Sequence, residues 1–113
     1  MAEHKIQYAI VELLRYYKIL VVETDIMSGL RYFGSKDPRR FAFINHHKKM
    51  GYVKGQPDLI LILKNETVYV EVKDKGKQSP EQIDFQKEVE SRGQRYLVWD
   101  SFEQAEKFCK EEV

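Results

Sequence analysis

Apolar residues recur at helical spacing near the start of the chain. Ile6, Ala9, Ile10, Leu13, Leu14 and Tyr17 form one stripe, which predicts a helix over residues 3–20. ILVVET (residues 19–24) is short and β-branched and predicts a strand. Residues 26–36 carry two glycines and read as a loop. A second helix is expected over residues 37–51, with Asp37 as cap, Pro38 at the first position and Gly51 as the stop. YVKGQP is then a loop, and apolar runs at 58–64 and 67–73 predict a hairpin turning at Asn65-Glu66. Ser79-Pro80-Glu81-Gln82 reads as a capping box that opens a helix to about Arg92, with Gly93 ending it. RYLVW is a strand, and Ser101 to Gln104 repeats the capping box before a last helix over 102–111. The order of elements predicts a single α/β domain over residues 1–113, one mixed sheet flanked by helices.

The chain has 113 residues, enough for one modest core. Its net charge of +1 points to no class of partner. The distribution of charge says more. Residues 31–55 hold seven bases against one acid, Asp37, whereas residues 100–113 hold five acids against two lysines. This polarity suggests a polarised surface, and on charge alone a pair of ordinary solvated faces is the stronger reading. The single cysteine, Cys109, allows no intrachain disulfide and no cysteine zinc site, which suits a reducing, cytoplasmic setting. The N-terminus lacks a signal-peptide pattern, and no apolar run approaches the ~20 residues of a membrane span, so no membrane partner is expected.

The hairpin carries the chemistry. Strand alternation puts Asp58, Ile60 and Ile62 on one face, and Tyr69, Glu71 and Lys73 on one face of the next strand. With the turn at Asn65-Glu66, Asp58 lies opposite Lys73 and Glu71 opposite Ile60, so two carboxylates and an ammonium converge at one end. Val72 points into the core, which brings its backbone to the same end. A one-residue change in the turn is expected to flip Asp58 relative to Glu71. Neighbouring carboxylates repel, and a divalent cation removes that repulsion. Hard oxygens suit Mg²⁺ or Mn²⁺. A lysine beside such a site can orient or help deprotonate an attacking water, or stabilise charge on a phosphorane. This predicts phosphodiester hydrolysis. The plainer alternative is an exposed strand end with a cross-strand ion pair.

GYVKGQPDLILIL and VYVEVKDKGKQSPEQIDFQKEVESRGQRYLVW, with the helix before them, resemble the VRR-NUC domain, a branch of the PD-(D/E)xK nuclease superfamily. The resemblance covers roughly residues 3–100. It implies a restriction-endonuclease-like αβββαβ core, with Asp58, Glu71 and the Val72 carbonyl as metal ligands and Lys73 acting on the water. It further implies an acid on the first helix, for which Glu12 is the best match. Glu12 lies about 120° from the centre of the apolar stripe, where a solvated glutamate would lie equally well. Gln82 matches the family's glutamine after the catalytic strand. Its other role is to complete the capping box, and one amide is not expected to serve both at full strength.

Stand-alone members of this family, of phage and bacterial type, are homodimers that cut four-way (Holliday) DNA junctions. The resemblance therefore implies a Mg²⁺- or Mn²⁺-dependent endonuclease, with junction DNA as substrate and a second copy as partner. A less selective duplex, flap or restriction-type nuclease, or a nucleic-acid-binding module without catalysis, are the alternatives. The presence of Asp58, Glu71 and Lys73 together counts against loss of catalysis. Arg39, Arg40, His46, His47, Lys48, Lys49 and Lys54, with Lys75 and Lys77 on the other side, are candidate phosphate contacts. His46 and His47 point about 100° apart on a helix and are not expected to grip one zinc ion. Tyr32, Phe41 and Phe43 could stack on bases, but core or interface positions suit such aromatics better, and residues 26–43 are the expected dimer surface.

Overall fold

The computed structural model describes residues 2–24 and 33–113. Its elements run α1 (Ala2–Tyr16), β1 (Leu20–Glu23), α2 (Pro38–Lys49), β2 (Leu59–Ile62), β3 (Thr67–Val72), α3 (Pro80–Ser91), β4 (Arg95–Trp99) and α4 (Phe102–Glu112). The expected α/β architecture is present: an αβββαβ core with α2 inserted after β1 and α4 appended. The four strands lie in the order β1-β2-β3-β4. β1, β2 and β3 are antiparallel in succession, and β4 runs parallel to β3 after the α3 crossover. The loop expected at 26–36 lies largely outside the described residues, as does Tyr32.

Alternation sorts the sheet into two faces. Leu59, Leu61, Val68, Val70, Val72 and Trp99 join Ile10 and Leu14 of α1 and Ala105, Phe108 and Cys109 of α4 in one buried core. The other face carries Ile60, Tyr69, Glu71 and Tyr96, and α3 packs there against the β3–β4 half. Over the β1–β2 half, Leu20, Val22 and Ile62 keep 60%, 41% and 42% of their surface exposed. Both capping boxes form as expected, at Ser79/Gln82 and Ser101/Gln104.

Helix α1 stops at Tyr16, short of the 20 expected. Lys18 takes a left-handed conformation (φ 62°), its N–H bonds to the Arg15 carbonyl and that of Ile19 to the Leu14 carbonyl. This is a Schellman end with lysine in the place where glycine is usual. Gly51 and Gly93 end α2 and α3 by the same bond pattern, as the sequence leads one to expect.

The hairpin turns one residue earlier than expected. Ile62 faces Thr67, and the Leu63 N–H donates to the Glu66 carbonyl, so Lys64-Asn65 makes the turn. Sliding the turn by one residue moves every cross-strand partner by two. Faces are therefore conserved, and the flip expected from such a change does not occur. One step beyond the Leu59–Val70 pair, Asp58 comes opposite Glu71 rather than Lys73.

Candidate active site

The site is built where β2 begins and β3 ends. The Thr24 N–H donates to the Asp58 carbonyl, which fastens the end of β1 to the start of β2. The Thr24 hydroxyl donates to the Pro57 carbonyl, and the Gln56 amide donates to the Thr24 carbonyl at 2.7 Å. Gly55 (φ 91°) crosses the first turn of α3. A Cβ there would stand 2.3 Å from the Glu81 carbonyl oxygen, so only glycine fits. Beside it, Lys54 pairs with Glu81 at 3.2 Å. The loop before Asp58 is thus held to both β1 and α3.

The side chains then meet. Asp58 Oδ2 accepts from the Val72 N–H at 2.7 Å. Val72 faces the core, as expected, which turns its backbone toward the site. Glu71 is only 2% exposed, the one buried charged residue among the described residues. Gln82 Nε2 donates to Glu71 Oε1 at 2.9 Å, and the Tyr96 hydroxyl donates to Oε2 at 3.3 Å. Burial, then the Asp58 charge and a hydrogen bond to Asp58, push the Glu71 carboxyl up to about 8, against the opposing pull of the Lys73 charge and the Tyr96 bond. Burial, with the Glu71 charge behind it, raises the Tyr96 hydroxyl as well.

Gln82 reconciles its two expected roles. Its Oε1 accepts from the Ser79 N–H at 2.8 Å to close the capping box, while its Nε2 reaches Glu71. An amide presents an acceptor and two donors, so the roles use different atoms. The structure therefore brings Asp58, Glu71, Lys73, Gln82 and the Val72 backbone together. Glu12 is exposed on α1, a helix packed on the opposite face of the sheet, and among the described residues no third His, Cys, Asp or Glu gathers with the pair. Within RYLVW nothing marks Tyr96 apart from an ordinary strand aromatic, and only the pairing of β4 with β3 brings it to Glu71.

Among the candidate phosphate contacts, Lys48, Lys49, His46, Lys75 and Lys77 are exposed. Arg39 is forked onto the Asp37 cap at 2.6 Å and Lys54 is paired with Glu81. Arg40 is half-buried. His47 is half-buried with its ring 4.3 Å from that of Phe43. Phe41, by contrast, is 73% exposed.

Asp58 and Glu71 offer hard oxygens at one point, and their mutual repulsion is what a dication relieves, so the donor set fits Mg²⁺ or Mn²⁺.

A scan against protein-family models and a search of curated proteins both give no match. Solved structures do match. One named "VRR_NUC domain" has a TM-score of 0.68 at 24% identity, over 98% of this chain and 97% of its own. Another, named "VRR_NUC domain protein", has a TM-score of 0.70 at 13% identity, over 100% of this chain and 88% of its own. The chain has the fold of VRR_NUC domains, along its whole length.

Proposed function

We propose that this protein is a Mg²⁺- or Mn²⁺-dependent DNA endonuclease that hydrolyses phosphodiester bonds, selects branched DNA such as a four-way junction, and acts as a homodimer. The observation that carries the reading is the buried Glu71 set against Asp58 at the end of the hairpin, its oxygens held by Gln82 and Tyr96. An acid buried at such cost, beside a like charge, is what a cation site requires and what a stable strand end avoids. The fold shared with VRR_NUC domains supports the nuclease class.

Asp58, Glu71 and the Val72 carbonyl would hold the metal, which when bound supplies neutralising charge to the phosphate under attack. Val72 N–H fixes the Asp58 carboxylate, and Gln82 fixes that of Glu71. Lys73, whose charge is felt at Glu71, would orient the attacking water and stabilise the negative charge that builds on the phosphate. Lys48, Lys49, Lys75 and Lys77 would seat the phosphate backbone. Glu12 is not part of the proposed metal set. The exposed strip of Leu20, Val22 and Ile62 and the exposed Phe41 supply apolar surface for a second copy.

The test is a labelled four-way junction, compared with duplex and flap DNA, incubated with Mg²⁺ or Mn²⁺ and with EDTA. Paired cuts in the junction, absent in EDTA and abolished by Lys73→Ala, are expected. Equal cutting of duplex and junction would assign a less selective nuclease, and binding without any cleavage would assign a binding module.

A further inference from the structure

Glu71 has a second partner that the hairpin itself does not supply. Tyr96 stands on β4 directly across from Tyr69, buried, with its hydroxyl 3.3 Å from Glu71 Oε2. The Gln78 side-chain amide lies beside that hydroxyl and opposes the rise in its pKa. Gln78 Nε2 donates to Gln86 Oε1 at 3.0 Å, and Gln86 Nε2 donates to Glu90 Oε2 at 3.3 Å. The direction of this chain is set at its outer end. An ionised carboxylate only accepts, so Glu90 takes the Gln86 N–H₂ and turns the Gln86 oxygen toward Gln78. Gln78 then presents its N–H₂ group, one hydrogen to Gln86 and the other on the side of the Tyr96 oxygen. A hydroxyl that accepts from Gln78 has its own hydrogen left for Glu71.

We propose that Tyr96, oriented by Gln78, is a positioning residue that holds the Glu71 carboxylate in the plane a divalent cation needs. Gln82 occupies one lone pair of Oε1 and Tyr96 one lone pair of Oε2. Each oxygen keeps a second lone pair for a cation, and the carboxylate cannot rotate about its last bond without breaking one of the two bonds. Tyr96 is not in the proposed metal set. It acts through Glu71, and the inference rests on the metal-dependent reading above.

Binding of Mn²⁺ to metal-free protein, followed by loss of the free-ion electron paramagnetic resonance signal, tests this without any turnover. Tyr96→Phe keeps the ring and removes the donor. It is expected to melt at the wild-type temperature in EDTA and to need roughly ten-fold more Mn²⁺ for half-saturation, the low end of what losing such a partner costs. Gln78→Leu, which leaves the hydroxyl but removes its director, is expected to shift Mn²⁺ binding the same way by a smaller factor. Junction cutting by Tyr96→Phe should recover when Mn²⁺ is raised by the same ratio. Wild-type affinity in Tyr96→Phe, with or without a lowered melting temperature, overturns the proposal and leaves Tyr96 as packing. Should Tyr96→Phe not fold, an unshifted Gln78→Leu overturns it instead. Absence of Mn²⁺ binding by the wild type overturns the metal reading itself, an outcome seen before any variant is compared.

Discussion

Glu71 concentrates the energetics of the site. A carboxylate 2% exposed and opposed by Asp58 prefers its proton, and its carboxyl titrates near 8 instead of the ordinary 4.5. The folded metal-free protein thus binds this proton more tightly than the unfolded chain does. That contribution to stability is fully present below about 4.5 and is lost as pH rises through about 8. Thermal unfolding in EDTA from pH 5 to pH 9 should show the wild type losing melting temperature over this window. Glu71→Gln has no proton to give up there, and its profile should be flatter. Added Mn²⁺ should raise the wild-type melting temperature more at pH 8 than at pH 6, because at the lower pH the ion must displace the proton. Glu71→Gln should show neither that response nor junction cutting. Asp58, Glu71 and Lys73 were legible in the sequence because alternation along two short strands places them. Tyr96 was not, because its approach to Glu71 depends on the parallel pairing of β3 with β4, which no local pattern states.

At the scale of elements, helix ends show what local chemistry can and cannot announce. Gly51 and Gly93 mark their stops openly, since glycine alone enters the left-handed region without strain. Lys18 ends α1 by the same hydrogen bonds with no such mark, and it is held there because Leu14 and Ile19 on either side are both buried. The hairpin register followed the same logic. Neither Lys64-Asn65 nor Asn65-Glu66 is a strong turn pair, and both bury the same faces, so no local signal names the register that sets Ile62 opposite Thr67. Gly55 is where one element touches another with no room to spare. Gly55→Ala should meet the Glu81 carbonyl and push the first turn of α3 away, taking Gln82 with it. Denaturant unfolding is expected to show a loss of roughly 2 kcal/mol, from backbone strain and collision together. Cleavage should fall by more than the remaining folded fraction explains, and wild-type specific activity in the folded Gly55→Ala protein would refute the link to the site.

For the whole molecule, charge and burial divide along the fold. Helix α2 buries none of its residues and ends in His46, His47, Lys48 and Lys49, so its chemistry serves a partner better than a core. Lys48→Glu combined with Lys49→Glu should weaken junction binding most at low salt. Measured by fluorescence anisotropy between about 50 and 200 mM salt, the log–log slope should flatten by about one for each lysine that contacts a phosphate. The fold and the melting temperature should not change, because both side chains are exposed. An unchanged slope would remove α2 from the DNA-binding surface. No helix among the described residues is long and apolar enough to cross a membrane, in line with the absence of a long apolar run in the sequence.

The sequence by itself determined the elements and their order, since apolar periodicity, capping boxes and two glycine stops are local signals that act within a few residues. It also determined that Asp58 and Glu71 share a face, because the two-residue period survives a slide of the turn. Tertiary structure decided the remainder. It chose the register that sets Asp58 against Glu71, ended α1 at Lys18, and left Glu12 in solvent on the far side of the sheet. It let one glutamine cap a helix and hold a carboxylate, and it brought Tyr96 to that carboxylate's other oxygen. Each of these depends on which surfaces are buried together, a free energy shared among residues far apart in the chain and therefore written at none of them alone.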